Sequence, residues 1–319
     1  MERILVTGSS GFIGMHLCKS LLDDGYIVCG VDNMNDYYDK SLKEQRLKLL
    51  SDYKNFTFNR LDILSLKSIE KLFKEFEPEK VVNLAAQVGV RYSLENPHAY
   101  IQSNVVGFTN IITACLNNMV SGLIYASSSS VYGGNEKTPF STDDRTDKPI
   151  SLYAASKKTN ELIAYTYNHL YGLNTTGLRF FTVYGPWGRP DMAMYIFAEK
   201  IRNGEKIPVF NHGQMKRDFT YIDDIVSGIR FSIEKNYSYE IFNLGNNRCE
   251  DLMDMIAHIE KELNRKAKID FMDIQPGDVE NTFANIEHAK NKLNYKPKTS
   301  IAEGIPKFIE WYKSYHKLL

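Results

Sequence analysis

The chain has 319 residues, 43% of them hydrophobic, and its 39 Lys and Arg balance 39 Asp and Glu. That is ample apolar material for a buried core, so general disorder is excluded, and the length suits two domains or one large domain with a lobe. A formal charge of zero offers no basic excess for nucleic acid or an anionic membrane, and no apolar run approaches the length of a membrane span.

Residues 4–7 open the chain as a strand, and 27–32, 56–60, 81–84 and 123–127 read as further strands. Between them, 12–22, 41–50, 65–76 and 97–117 carry helical periodicity. A helix over 152–171 and a strand over 175–180 complete the series. Such alternation predicts an α/β fold, a doubly wound parallel sheet of the Rossmann kind with helices on both faces. After residue 180 the rhythm changes. Tyr184-Gly185-Pro186-Trp187-Gly188-Arg189-Pro190 is rich in turn residues. Helices are expected at 194–203, 223–234, 252–263 and 301–315 among short strands. The expected division is a dinucleotide-binding domain over 1–180, rejoined near 222–246, and a smaller mixed substrate lobe over most of 181–319.

Gly8-Ser9-Ser10-Gly11-Phe12-Ile13-Gly14 joins the first strand to the first helix. Glycines there permit a positive φ, close approach of a pyrophosphate and tight helix–strand packing, and the helix N-terminus offers N–H groups to phosphate. Alone, such a triplet also fits an ordinary tight turn. Asp32 at the end of the second strand adds weight, because an acid there bonds the ribose hydroxyls of NAD and repels a 2′-phosphate.

Tyr153 and Lys157 stand four apart on one predicted helix and so share a face. A nearby cation favours a phenolate, so Lys157 with a bound nicotinamide is expected to lower the Tyr153 pKa and make it a general base. Taken alone, the pair reads more readily as a solvated surface contact. Ser127-Ser128-Ser129-Ser130-Val131-Tyr132-Gly133, at a strand end, supplies hydroxyls for the oxygen being oxidised.

Glycine motif, acid, serine run and Tyr–Lys pair, in this order, resemble the extended branch of the short-chain dehydrogenase/reductase superfamily. The resemblance implies NAD held by Gly8, Gly11, Phe12, Ile13, Gly14, Asp32, Asn33, Asp62, Ile63, Leu84, Ala85, Ala86, Asn104, Tyr153 and Lys157. It implies a catalytic triad of Ser128, Tyr153 and Lys157. Related dehydratases carry an Asp-Glu pair after the catalytic hydroxyl, where this chain has Ser129 and Ser130. Related decarboxylases carry Glu at the position of Ser130. Hydride transfer alone is left, as in an epimerase or a simple dehydrogenase.

The chain resembles UDP-glucuronate 4-epimerases over nearly its whole length. The resemblance rests on Asp32-Asn33-Met34-Asn35-Asp36-Tyr37-Tyr38-Asp39, on Gly89-Val90-Arg91-Tyr92-Ser93, and on the run from Phe181 through Arg189 to Ala193. It implies a UDP-sugar substrate touched by Arg91, Ser129, Ser130, Thr182, Arg189, Arg217 and Asp278. UDP-glucose 4-epimerases have Asn where Thr182 stands, so Thr182 is expected to make room for a C6 carboxylate. Oxidation at C4 of a glucuronate gives a β-keto acid prone to lose CO₂. Ser129, Ser130, Thr182 and Arg189 are expected to hold the carboxylate out of the alignment that loss requires. Arg217 is expected on a phosphate and Asp278 on the ribose, while Gln275 replaces an Arg of related enzymes.

Three other readings stay open: a simple NAD dehydrogenase, an epimerase of UDP-glucose or UDP-N-acetylglucosamine, and a non-catalytic NAD(H)-binding sensor. The last class usually lacks the Tyr or Lys, and both are present here. Cys18, Cys29, Cys115 and Cys249 are dispersed without a CxxC, and the histidines lack metal-ligand spacing. With no signal-like start, a cytoplasmic protein without metal is expected. By resemblance it is a homodimer, paired through the helices near 97–117 and 152–171.

Overall fold

A computed structural model of the chain describes residues 1–274 and 280–318. Its centre is a seven-stranded sheet. The strands are β1 (Arg3–Thr7), β2 (Ile27–Asp32), β3 (Phe56–Arg60), β4 (Lys80–Asn83), β5 (Gly122–Ser128), β6 (Thr175–Phe180) and β11 (Tyr239–Leu244). Their order is β11-β6-β5-β4-β1-β2-β3, and each neighbouring pair is parallel. The Rossmann expectation for the sheet is met.

Period-two side-chain alternation divides the apolar strand residues between two cores. Ile4, Val6, Val82 and Ile124 face a core that runs on through the C-terminal part of the chain to Phe308 and Tyr312. Leu5, Val81, Leu123 and Tyr125 face a second core, with Phe73, Phe108 and Ile111. Helices cover both faces: α1 (Phe12–Asp23), α2 (Lys40–Ser51) and α9 (Ile222–Lys235) on one side, α3 (Leu66–Phe76), α6 (Gly107–Asn117) and α7 (Leu152–Tyr171) on the other.

Local chemistry sets the helix ends. The Asp39 carboxylate accepts from the Ser41 N–H and caps α2, and the Ser151 hydroxyl accepts from the Ala154 N–H and caps α7. Gly172, at φ +70°, stops α7 by turning left-handed, and its N–H bonds the Asn168 carbonyl. Ser300 and Glu303 form a capping box at the start of α12 (Ile301–Tyr315).

The helix expected over 97–117 forms without a break and carries a π-helical stretch inside it. A short α4 (Tyr92–Glu95) and α5 (Pro97–Tyr100) precede a π-helical turn, Ile101–Val106, which leads into α6. Hydrophobic periodicity does not distinguish a widened turn from a regular one.

Beyond β6 the chain adds three two-stranded pairings. Parallel β7 (Thr182–Tyr184) and β10 (Phe219–Tyr221) sit directly after the main sheet. The others are β8 (Lys206–Phe210) with β13 (Lys268–Met272), and β9 (Lys216–Arg217) with β12 (Glu250–Asp251). Helices α8 (Ala193–Asn203), α10 (Leu252–Leu263), α11 (Glu287–Leu293) and α12 pack around them. Of these strands, β7, β9, β10 and β12 are two or three residues long, too short for a periodicity signal. The path between β9 and β10 turns at Asp218, which is fully buried. Its carboxylate accepts from the N–H groups of Asn246, Asn247 and Ala284 and from the Thr220 hydroxyl.

Candidate active site

The C-terminal ends of β1, β2, β4, β5 and β6 open into one cavity of about 350 Å³, lined among others by Gly8, Asp32, Leu84, Ser128 and Phe180. In an open parallel sheet this edge, where strand order reverses between β4 and β1, is where ligands bind.

At one end lies the glycine loop. Gly8 has φ +71°, and a Cβ there would stand 2.8 Å from the Ala85 nitrogen. A Cβ on Gly14 would stand 2.0 Å from the Gly8 carbonyl oxygen. Both positions therefore require glycine, one for conformation and contact, the other for helix packing on the loop. No side chain caps α1 at Gly11, and Gly11, Phe12, Ile13 and Gly14 line the cavity. An uncapped helix start beside a glycine turn is a site for phosphate.

Asp32 is buried at the end of β2. Its carboxylate accepts from the Ser10 N–H at 3.2 Å and the Met34 N–H at 2.8 Å. Asn33 donates to Asp62 at 3.0 Å, and Asp62, Ile63, Leu84, Ala85 and Ala86 continue the wall. Lys43, which the sequence reading did not single out, reaches this end from α2. It is buried, its ammonium 3.9 Å from Asp32 and bonded to Asn35 at 2.7 Å. Asn35, Tyr37, Gln87 and Val88 also line the cavity without having been expected there. The chain folds back between β2 and α2 to bring Lys43 to Asp32, and no local pattern announces that return.

Ser128, Tyr153 and Lys157 meet at the other end. Ser128 ends β5 and its hydroxyl accepts from the Ser130 N–H at 3.1 Å. Burial raises the Tyr153 phenol above its ordinary value, while a hydrogen bond with Ser128 and the charge of Arg189 oppose that rise. Lys157 is 3% exposed and donates to the Ala126 carbonyl at 2.8 Å, and burial pushes its ammonium down to about 8. Arg189 thus joins Lys157 as a cation at this end of the cavity, one that the sequence did not connect with Tyr153.

Ser129, Thr182 and Arg189 line the same end. Ser130 lies in the 3-10 turn Ser129–Tyr132, and its hydroxyl is not on the cavity wall. Asn104 also stays behind the wall. It is buried, with its side chain bonded to the Gln87 N–H and carbonyl and to the Ser156 hydroxyl, so it holds the Gln87 backbone in place. Arg91 and Arg217 are outside the cavity. The Arg91 guanidinium stacks 4.5 Å from the Phe210 ring centroid. Arg217 donates to the carbonyls of Lys216 and Glu280 at 2.9 and 2.8 Å. Asp278, with Gln275, lies outside the described residues. Among the described residues no cluster of His, Cys, Asp and Glu could hold a metal, and no helix is long and apolar enough to cross a membrane.

A site of this build has known counterparts. The chain is 51% identical to the protein CapI of Staphylococcus aureus, with 99% of each chain covered. It is 47% identical to UDP-glucuronate 4-epimerase 2 of Arabidopsis thaliana, covering 98% of this chain and 76% of that one. Its fold superposes with a TM-score of 0.93 on the UDP-glucuronic acid 4-epimerase of Bacillus cereus, solved with UDP-glucuronic acid and NAD. That pair is 33% identical, over 98% of this chain and 99% of the other. The model of the NAD dependent epimerase/dehydratase family matches residues 4–245, and the chain belongs to that family.

Proposed function

We propose that the protein catalyses the NAD-dependent 4-epimerisation of a UDP-hexuronic acid, interconverting UDP-glucuronate and UDP-galacturonate through a transient 4-keto sugar. The observation that carries the reading is one cavity with a dinucleotide end and a hydroxyl-oxidising end, and no carboxylate beside Ser128 to eliminate water. The residues fit NAD. The uncapped start of α1 and the Gly8–Gly14 cradle suit its pyrophosphate, and Asp32, backed by Lys43, suits an adenosine ribose without a 2′-phosphate. When bound, NAD supplies a hydride acceptor that becomes the hydride donor after the sugar turns.

The protein moves the proton and holds the sugar. Tyr153 takes the C4 hydroxyl proton on oxidation and returns it on reduction. Ser128 hydrogen-bonds Tyr153 and the reacting oxygen. Lys157, its ammonium bonded to Ala126, stabilises the phenolate electrostatically. Thr182, Ser129 and Arg189 receive the C6 carboxylate and keep its bond to C5 out of line with the ketone. Residues 1–180 with 222–246 serve the cofactor, and most of 181–319 serves the nucleotide sugar, with Arg217 and Asp278 on the UDP moiety.

We assign the working form to a cytoplasmic homodimer paired through α6 and α7. Leu162 and Tyr165, 57% and 52% exposed, give α7 an apolar outer face. Incubation with UDP-glucuronate and, separately, UDP-glucose, with products resolved by NMR, tests the activity. Conversion to UDP-galacturonate without net NADH accumulation is expected. Failure to form UDP-galacturonate overturns the reading.

A further inference from the structure

Arg189 does not stand alone in the cavity wall. Its Nε donates to one oxygen of Asp191 at 3.0 Å and an Nη donates to the other at 2.5 Å. That two-point fork fixes the guanidinium plane. It also leaves N–H groups beyond those two for a ligand, since a guanidinium carries five. The side chain is 21% exposed.

Asp191 is itself held from across the cleft. The Tyr37 hydroxyl donates to it at 3.1 Å. Tyr37 belongs to the stretch between Asp32 and the Asp39 cap of α2, the cofactor side of the cavity. Its ring packs against Tyr38 and Tyr92, with centroids 6.2 and 5.2 Å away. The backbone that carries Arg189 is gripped from the same side. Arg46 of α2 is fully buried and donates to the Trp187 carbonyl through Nε at 3.1 Å and an Nη at 2.6 Å. It also reaches the Ser10 carbonyl of the glycine loop at 3.2 Å. The ring of His16 contacts the Pro186 carbonyl at 2.9 Å. The 186–191 turn is thus fastened at three points to the dinucleotide end.

We propose that Tyr37, acting through Asp191, is a positioning residue for Arg189 and so sets the preference for a carboxylate over a hydroxymethyl group at C6 of the sugar. The inference rests on the function proposed above. Its physical basis is preorganisation: a receptor held in place before the ligand arrives loses less freedom on binding. Without the Tyr37 bond, Asp191 and Arg189 are free to turn together. A neutral C6 hydroxymethyl carries no charge to pair with Arg189 and offers no two-oxygen fork, so it senses the change less.

The test measures affinities of the NAD-loaded protein for UDP-glucuronate and UDP-glucose by calorimetry, in wild type, Tyr37→Phe and Asp191→Asn. Phenylalanine retains the ring packing and removes only the hydroxyl. The ratio of uronate to glucose affinity is expected to fall about 3- to 10-fold in Tyr37→Phe, the range of one hydrogen bond. A larger fall is expected in Asp191→Asn, with more CO₂ released during UDP-glucuronate turnover. Equal losses for both sugars, or an unchanged ratio, overturn the proposal. Absence of UDP-galacturonate formation by the wild type instead overturns the function, a result the affinity ratio does not depend on.

Discussion

A tyrosine in the first turn of a helix, as Tyr153 is in α7, becomes a base only through its neighbours. Tyr153→Phe is expected to reduce conversion of UDP-glucuronate by about 10²- to 10⁴-fold, the usual share of a general base, with little change in melting temperature. NMR of the products and a thermal melt check both halves. The pH dependence follows from the direction of the Tyr153 shift. Burial holds the phenol protonated, so kcat/KM is expected to rise with pH as the phenolate forms. Removing the Ser128 hydroxyl removes a contact that favours the phenolate. Ser128→Ala is therefore expected to move the rising limb to higher pH as well as lower its plateau. A limb that stays in place would separate Ser128 from the proton transfer. Tyr153 and Lys157 were legible at this scale because a spacing of four puts them on one helix face, while the role of Ser128 came from the family resemblance. Lys43, Tyr37 and Asp191 were not, because their partners are brought together by folding.

At the scale of elements, two junctions tie distant segments together. One is the packing of α1 onto the glycine loop. Gly14→Ala places a Cβ 2.0 Å from the Gly8 carbonyl oxygen, backbone that cannot swing aside. Loss of retained NAD and a lower melting temperature are expected, read by absorbance of the purified protein and calorimetry. The other junction is Asp218. Burial pushes its carboxyl up to about 6, against bonds from three backbone N–H groups that pull it down. An unfolded Asp titrates near ~3.9, so between pH 4 and 6 the folded chain binds this proton more tightly. The contribution of Asp218 to stability therefore falls as pH rises through that window. Asp218→Asn is expected to lose less melting temperature than wild type between pH 4.5 and 6.5, while being less stable overall from the disrupted N–H contacts. Identical pH slopes for the two proteins would remove Asp218 as the group responsible. Helix ends and buried strands were readable here from caps, glycines and apolar runs. The short strands β7, β9, β10 and β12 were not, because two or three residues carry no period.

For the whole molecule, the proposed pairing makes its own prediction. Leu162→Glu puts a charge on the exposed apolar face of α7, at a residue that does not line the cavity. A shift from dimer to monomer is expected in analytical ultracentrifugation at micromolar concentration, with the far-ultraviolet dichroism kept. A wild type that sediments as a monomer overturns the assignment. The sequence by itself determined the parallel sheet, the glycine cradle, the acid at Asp32 and the shared helix face of Tyr153 and Lys157, because each depends on residues near one another in the chain or on strand periodicity. Only the tertiary structure decided that the charge of Arg189 acts on Tyr153, that Asn104 stands behind the wall, and that the 32–46 stretch grips the Arg189 turn. Those contacts join segments from 17 to 154 residues apart, and their geometry is set by packing rather than by local sequence.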